Sequence, residues 1–160
     1  VLQGLLQAIP GYFIRGENMN TLFSLYKACT AAHTARYTHG KTPHAQDDPW
    51  FGADVIKPEV FTKRIVDTFI DEILQPPADA RVVGFKEIRF HEGGSEHFEP
   101  FLNFVFEHFP GCKFIFNSRP WAEVACSGWW ADMEKTRVKE IITGADALYA
   151  WLLYPSDAPA

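Results

Sequence analysis

The chain has 160 residues, and 15 basic against 20 acidic side chains give a net charge of −5. That balance argues against a nucleic-acid module, whose phosphate contacts need a basic face, and 47% hydrophobic residues argue against disorder. No apolar run approaches the ~20 residues of a bilayer span. Cys29, Cys112 and Cys126 are odd in number, widely spaced and without a C-x-x-C pair, which speaks against a disulfide scaffold or zinc ribbon and for a reducing, cytoplasmic compartment.

Val1, Leu2, Leu5, Leu6 and Ile9 recur at helical spacing until Pro10-Gly11 stops them. No capping residue or acidic first turn precedes this helix, so the chain reads as a fragment whose upstream strand and loop are absent. A signal peptide or anchor ahead of Val1 would leave no trace in these residues. Tyr12-Phe13-Ile14-Arg15 reads as a strand, followed by the polar turn Gly16-Glu17-Asn18. Asn18 or Asn20 can cap the next helix, whose core face is Leu22, Leu25, Tyr26 and Cys29. Residues 38–55 are rich in His, Gly, Pro and Asp and read as a long loop with Trp50-Phe51 embedded.

Pro58 stands at a first helical position, and Phe61, Ile65, Val66, Phe69, Ile70, Ile73 and Leu74 trace the strongest amphipathic helix, ended by Pro76-Pro77. Val82-Val83-Gly84-Phe85 leads into Lys86-Glu87-Ile88-Arg89 as a second strand that turns polar. Ser95 can cap a helix bearing Phe98, Phe101, Leu102, Val105 and Phe106, and the Phe stripe from Phe98 to Phe109 reads as core. Cys112-Lys113-Phe114-Ile115-Phe116 is expected to be a third strand, running into Asn117-Ser118-Arg119-Pro120, a short helix to about Trp130 and a further helical stretch to Leu153. Strands alternating with helices predict an α/β fold with a parallel sheet and helices on both faces. One domain is expected over residues 1–154, with 155–160 a frayed tail.

Ligands of an open α/β sheet sit outside the carboxyl ends of its strands. The residues there are Glu17 and Asn18, then the run from Lys86 to Arg89, then Arg119. A carboxylate, an ammonium and a guanidinium on one edge suit transfer of an anionic group to a hydroxyl, although polar strand ends also simply face water. Arg119 precedes Pro120 at a helix start, beside N–H groups that favour an anion. Ser127 lies eight positions on, close to two helical turns after Pro120, where it is either a partner of Arg119 or a small residue at a helix contact.

Several segments together resemble a known family. Leu2-Gln3-Gly4-Leu5-Leu6, Ile14-Arg15-Gly16-Glu17-Asn18, Gly84-Phe85-Lys86-Glu87-Ile88-Arg89, and Phe114-Ile115-Phe116-Asn117-Ser118-Arg119 with Ser127-Gly128-Trp129-Trp130 look like a sulfotransferase. The resemblance covers most of residues 1–130 and is nearer the tyrosylprotein and bacterial type than the cytosolic phenol type. It implies a P-loop-like sulfotransferase fold, truncated here, and 3′-phosphoadenosine 5′-phosphosulfate (PAPS) as donor. It assigns Arg119 and Ser127 to the donor's 3′-phosphate, Glu17 to the general base and Lys86 to the transferring group, with no metal. The acceptor hydroxyl belongs to a small molecule, a carbohydrate or a peptide. The family's phosphate-cradling loop lies before the helix that Val1 begins, and its basic, Gly-rich downstream loop is also missing. The fragment alone is therefore expected to bind donor poorly.

A P-loop-like kinase domain and a non-catalytic domain that keeps the fold are the other readings. Four further features stand outside this scheme. The run from His91 to His97 holds two histidines and two carboxylates without a zinc spacing, and reads as a solvated loop. His39, His44, Asp47 and Asp48 could shape an acceptor pocket, with Trp50 or Phe51 stacking on a ring; an ordinary loop pinned by its aromatics fits equally. Cys112 and Cys126 read as small core residues. Trp129-Trp130 reads as a seal between helix and sheet, with one ring able to approach an adenine.

Overall fold

The computed structural model describes residues 2–153, leaving aside the side chains of His91 and of 150–153; the tail at 155–160 lies outside this range. The described residues form a mixed α/β structure, and the chain divides into two compact units, Val1–Phe90 and His91–Ala160.

The first unit is built on two strands. Helix α1 (Leu2–Gln7) ends before Pro10, and Gly11, at φ 81°, turns the chain into strand β1 (Tyr12–Arg15). Strand β2 (Val82–Phe85) lies parallel to β1, pairing Tyr12 with Val82 and Arg15 with Phe85. Gly11 O and Arg15 O accept from Val82 N and Lys86 N across this ladder. The opposite edge of β1 is met from α1: Ile14 N donates to Gln7 Oε1 at 2.6 Å, and Gln3 Nε2 donates to Ile14 O at 3.3 Å. Tyr12 N, next along, donates to Ile9 O at 3.0 Å. Tyr12 N, Ile14 N and Ile14 O on that edge are thus already paired.

The connection between the strands carries the unit's core. Helix α2 (Thr21–Thr34) buries Leu22, Phe23, Tyr26 and Cys29, one face at helical spacing, and winds on as π-helical turns over Ala35–His39. Helix α3 (Pro58–Thr68) starts with Pro58 in its first turn, where no N–H is required, and continues as π-helical turns over Phe69–Leu74. Phe69 is wholly buried, and its ring meets Phe85 of β2 edge-on at 5.5 Å. Gly40 closes the loop that follows the first π-helical turns. A side chain there would stand 2.4 Å from the Ala53 carbonyl carbon, so only glycine permits that approach.

The second unit is helical. Helix α4 (Ser95–His108) buries Phe98, Phe101, Leu102, Phe104 and Val105, whereas Phe106, expected in the core, is 54% exposed. Helix α5 (Trp121–Val124) is a single turn, and α6 (Lys135–Leu153) packs on it through Val124, Ala125 and Val138. Glu96 and His97 belong to the first turn of α4 rather than to a loop.

The expected third strand does not form. Residues 112–116 keep the alternation of a strand, with Cys112, Phe114 and Phe116 half-buried and Lys113 and Ile115 exposed, but no described segment offers them a ladder. Their rings pack instead. Phe114 meets Phe106 at 5.3 Å, and Phe116 meets Tyr149 of α6 at 4.7 Å. The sheet of the described residues therefore has two strands rather than three or more, which fits the general α/β class but not the P-loop-like sulfotransferase fold that the resemblance implies.

Replacing Phe69 by alanine is expected to cost about 3–5 kcal/mol, the range for a buried aromatic ring. Urea unfolding of the chain and of Phe69→Ala measures it, with a fall in midpoint at an unchanged slope.

Candidate functional site

The chain leaves β1 and β2 side by side, and both exits carry charge. Gly16 and Glu17 follow β1; Lys86, Glu87, Ile88 and Arg89 follow β2. The parallel register brings Arg15 opposite Phe85, so the next residues, Glu17 and Lys86, start from neighbouring backbone. Glu17 Oε1 accepts a hydrogen bond from Lys86 Nζ, and Glu17 Oε2 lies 2.7 Å from Arg89 Nη1. The expected base and the expected cation are therefore joined, and Arg89 is added to them.

Glu87 explains why Arg89 is there. Its side chain is 0% exposed, and a buried carboxylate must be fully hydrogen-bonded. Oε2 accepts from Asn20 N at 2.8 Å and Asn18 N at 3.4 Å; Oε1 accepts from Ile88 N at 2.9 Å, Arg89 N at 3.2 Å and Arg89 Nη1 at 3.1 Å. Asn20 Nδ2 closes the circuit by donating to Arg89 O at 2.9 Å. Two consecutive left-handed residues, Met19 (φ 57°) and Asn20 (φ 56°), wrap the chain around this carboxylate. That conformation costs roughly 1–2 kcal/mol for a side chain such as that of Met19, and the Glu87 bonds offset it. Capping of α2 is shared: Asn18 Oδ1 accepts from Thr21 N at 3.0 Å, while Asn20 occupies the cap position.

Burial alone raises the carboxyl pKa of Glu17, but the hydrogen bonds and charges of Lys86 and Arg89 outweigh it and hold the group below its ordinary 4.5. Arg89 is pushed up chiefly by its bond to Glu17, burial opposing and Glu87 assisting. Beside Glu17 opens a cleft of about 240 Å³, walled by Arg15, Asn18, Glu72 and Ile73. Arg15 is held at its rim by a 2.7 Å bond from Nε to Leu74 O.

Arg119 and Ser127 lie in the second unit and are also brought together, Nη2 to Oγ at 3.4 Å. The route differs from the one expected. Helix α5 ends at Val124, so Ser127 is not two turns along one α-helix; the chain winds on in tighter turns, Cys126 N and Ser127 N donating to Glu123 O and Val124 O, and Ser127 Oγ also donates to Val124 O at 2.9 Å. Nor is there a helix end of the kind that favours an anion. The single turn of α5 already uses Glu123 N and Val124 N on Pro120 O.

The remaining candidates take other roles. Trp50 stacks on His39 with ring centres 3.6 Å apart, so that its face is engaged by the chain itself. His44 bridges the loop, its Nε2 2.6 Å from His39 O and its Nδ1 3.3 Å from Asp48 Oδ1, and the His39 carbonyl foremost raises its pKa. Trp129 and Trp130 stack on each other at 4.2 Å; Trp130 packs on the Val124, Ala125 and Val138 cluster, while Trp129 is half exposed. Cys126 is exposed rather than a core residue, and Cys112 is half-buried. The described residues contain no group of three or more potential metal ligands, and the side chain of His91 lies outside them.

Sequence reasoning inspected Lys86 to Arg89 as a run but gave a role to Lys86 alone. The signal for Glu87 was its phase: it stands two residues after Phe85, on the inward side of a strand's alternation. Because folding lowers the Glu17 pKa, its contribution to stability is present above pH 4.5 and is lost as pH falls through the lower folded value. Glu17→Gln should therefore lose less stability than the parent chain on acidification below 4.5, as followed by urea unfolding at a series of pH values.

Comparison with protein-family models, with curated proteins and with solved structures gives no match. No helix among the described residues is long and apolar enough to cross a membrane.

Proposed function

We propose that the chain belongs to a PAPS-dependent sulfotransferase, moving a sulfuryl group to an acceptor hydroxyl by in-line displacement. The observation that carries this reading is the meeting of Arg119 Nη2 with Ser127 Oγ at 3.4 Å, a guanidinium beside a hydroxyl on an exposed surface. A planar, permanently charged donor with a hydroxyl at its side suits a phosphate monoester, here the donor's 3′-phosphate. The Glu17–Lys86 pair supports the same reading, since it supplies an acceptor for the hydroxyl proton and a mobile cation. The proposal extends to a cytoplasmic setting, in keeping with free Cys29, Cys112 and Cys126.

Sulfuryl transfer asks for alignment and charge stabilisation more than covalent help. The acceptor oxygen forms a bond to sulfur as the bond from sulfur to the bridging phosphosulfate oxygen breaks. The acceptor proton passes to Glu17, and the electron pair leaves on 3′-phosphoadenosine 5′-phosphate. Lys86 must serve two partners in turn. Bound to Glu17, it lowers the basicity of the carboxylate; drawn onto the incoming anion, it stabilises the growing charge and returns part of that basicity, Arg89 remaining in place. The reaction then couples donor arrival to activation of the base. No step calls for a metal, because basic side chains offset the leaving charge.

Arg119→Ala is expected to weaken binding of 3′-phosphoadenosine 5′-phosphate by roughly 1.5–3 kcal/mol, the scale of a charged hydrogen bond. Calorimetry on the full-length parent protein and on its Arg119→Ala variant measures this, and equal affinities reject the assignment. Glu17→Ala should lower turnover by about 100-fold while changing donor affinity little, as separated by a kinetic assay and the same calorimetry; parent-like turnover rejects Glu17 as base.

A further inference from the structure

Glu17 has two carboxylate oxygens and two cationic partners, and the partners are held very differently. Lys86 takes Oε1 from a flexible stem, with its side chain 44% exposed and no second partner among the described residues. Arg89 takes Oε2 with its side chain only 19% exposed. Its guanidinium is fastened behind by Glu87 at 3.1 Å, and its backbone N–H and carbonyl are tied to Glu87 and Asn20. Glu87 in turn is 0% exposed and bonded to four backbone N–H groups, two of them on the turn that follows Glu17. One cation is thus free to leave, and the other is built into the fold.

We propose that Arg89 is the positioning residue for Glu17: anchored by Glu87, it holds Oε2 in place so that Oε1 can pass from Lys86 to an acceptor hydroxyl without the carboxylate swinging away. A lone hydrogen bond from Lys86 would fix the group only until Lys86 departed. A single guanidinium nitrogen, Nη1, meets both carboxylates at once, carried on a side chain one bond longer than that of lysine. Describing the held group as a base rests on the sulfuryl-transfer reading, but the hold itself can be measured without donor or acceptor.

Three-bond NMR couplings of the Glu17 side chain report its χ1 rotamer, and carbon-13 titration reports its carboxyl midpoint. In the parent chain and in Lys86→Gln, the couplings should show one rotamer. In Arg89→Gln they should average over several, and the midpoint should rise by about one pH unit on loss of the adjacent cation. A single rotamer in folded Arg89→Gln overturns the proposal, as does averaging in Lys86→Gln equal to that in Arg89→Gln. Where Arg89→Gln does not fold, Arg89→Lys decides: averaged couplings with the charge retained support positioning, and one rotamer overturns it. Because no turnover enters these measurements, their failure is distinct from a failure of donor binding or of sulfuryl transfer.

Discussion

A carboxylate sealed from water is the constraint on which the ends of both strands depend. The oxygens of Glu87, out of reach of water, must be met by donors, and the chain supplies them from two directions: the residues just past β1 and those just past β2. Satisfying that one group dictates the left-handed turn at Met19 and Asn20, the start of α2 and the orientation of Arg89. The exposed chemistry at Glu17 and Lys86 is therefore an outer layer on a buried ionic framework. The turn also leaves Asn18 Nδ2 and Asn20 Oδ1 buried without a partner among the described residues, a strain that local packing must offset.

Much of the first unit was legible because local signals agree there. Pro10-Gly11 ends α1, Tyr12 to Arg15 alternates as β1, Pro58 opens α3, and Val82 to Phe85 forms β2, although the strand stops before the polar run Lys86 to Arg89 that was expected to continue it. Joining Glu17 to Lys86 was likewise readable, since parallel strands deliver their exits to the same edge. What escaped was the role of Glu87 and Arg89. A buried carboxylate and a solvated one have the same letter, and only the tertiary partners distinguish them.

The second unit shows the opposite limit. Residues 112–116 carry the alternation of a strand, yet a strand is a property of a pair, and period-two patterning says nothing about whether a neighbour is present. Phe114 and Phe116 satisfy the pattern by packing against Phe106, edge-on, and Tyr149, at a tilt. Arg119 and Ser127 give a related lesson. Their contact was anticipated from the spacing of one α-helix, but it arises where the single turn of α5 passes into tighter turns up to Ser127. Similar separations between side chains can follow from different backbone paths.

The two glutamines of α1 carry a consequence for association between molecules. A sheet margin with unengaged main-chain groups is a template on which foreign strands can grow, the usual seed of aggregation. Here Gln3 and Gln7 clasp Ile14 from the side, and Tyr12 N is spent on Ile9 O. An invading strand would have to expel two amide side chains before pairing with Ile14, so this short helix shields the middle of the β1 margin against self-assembly.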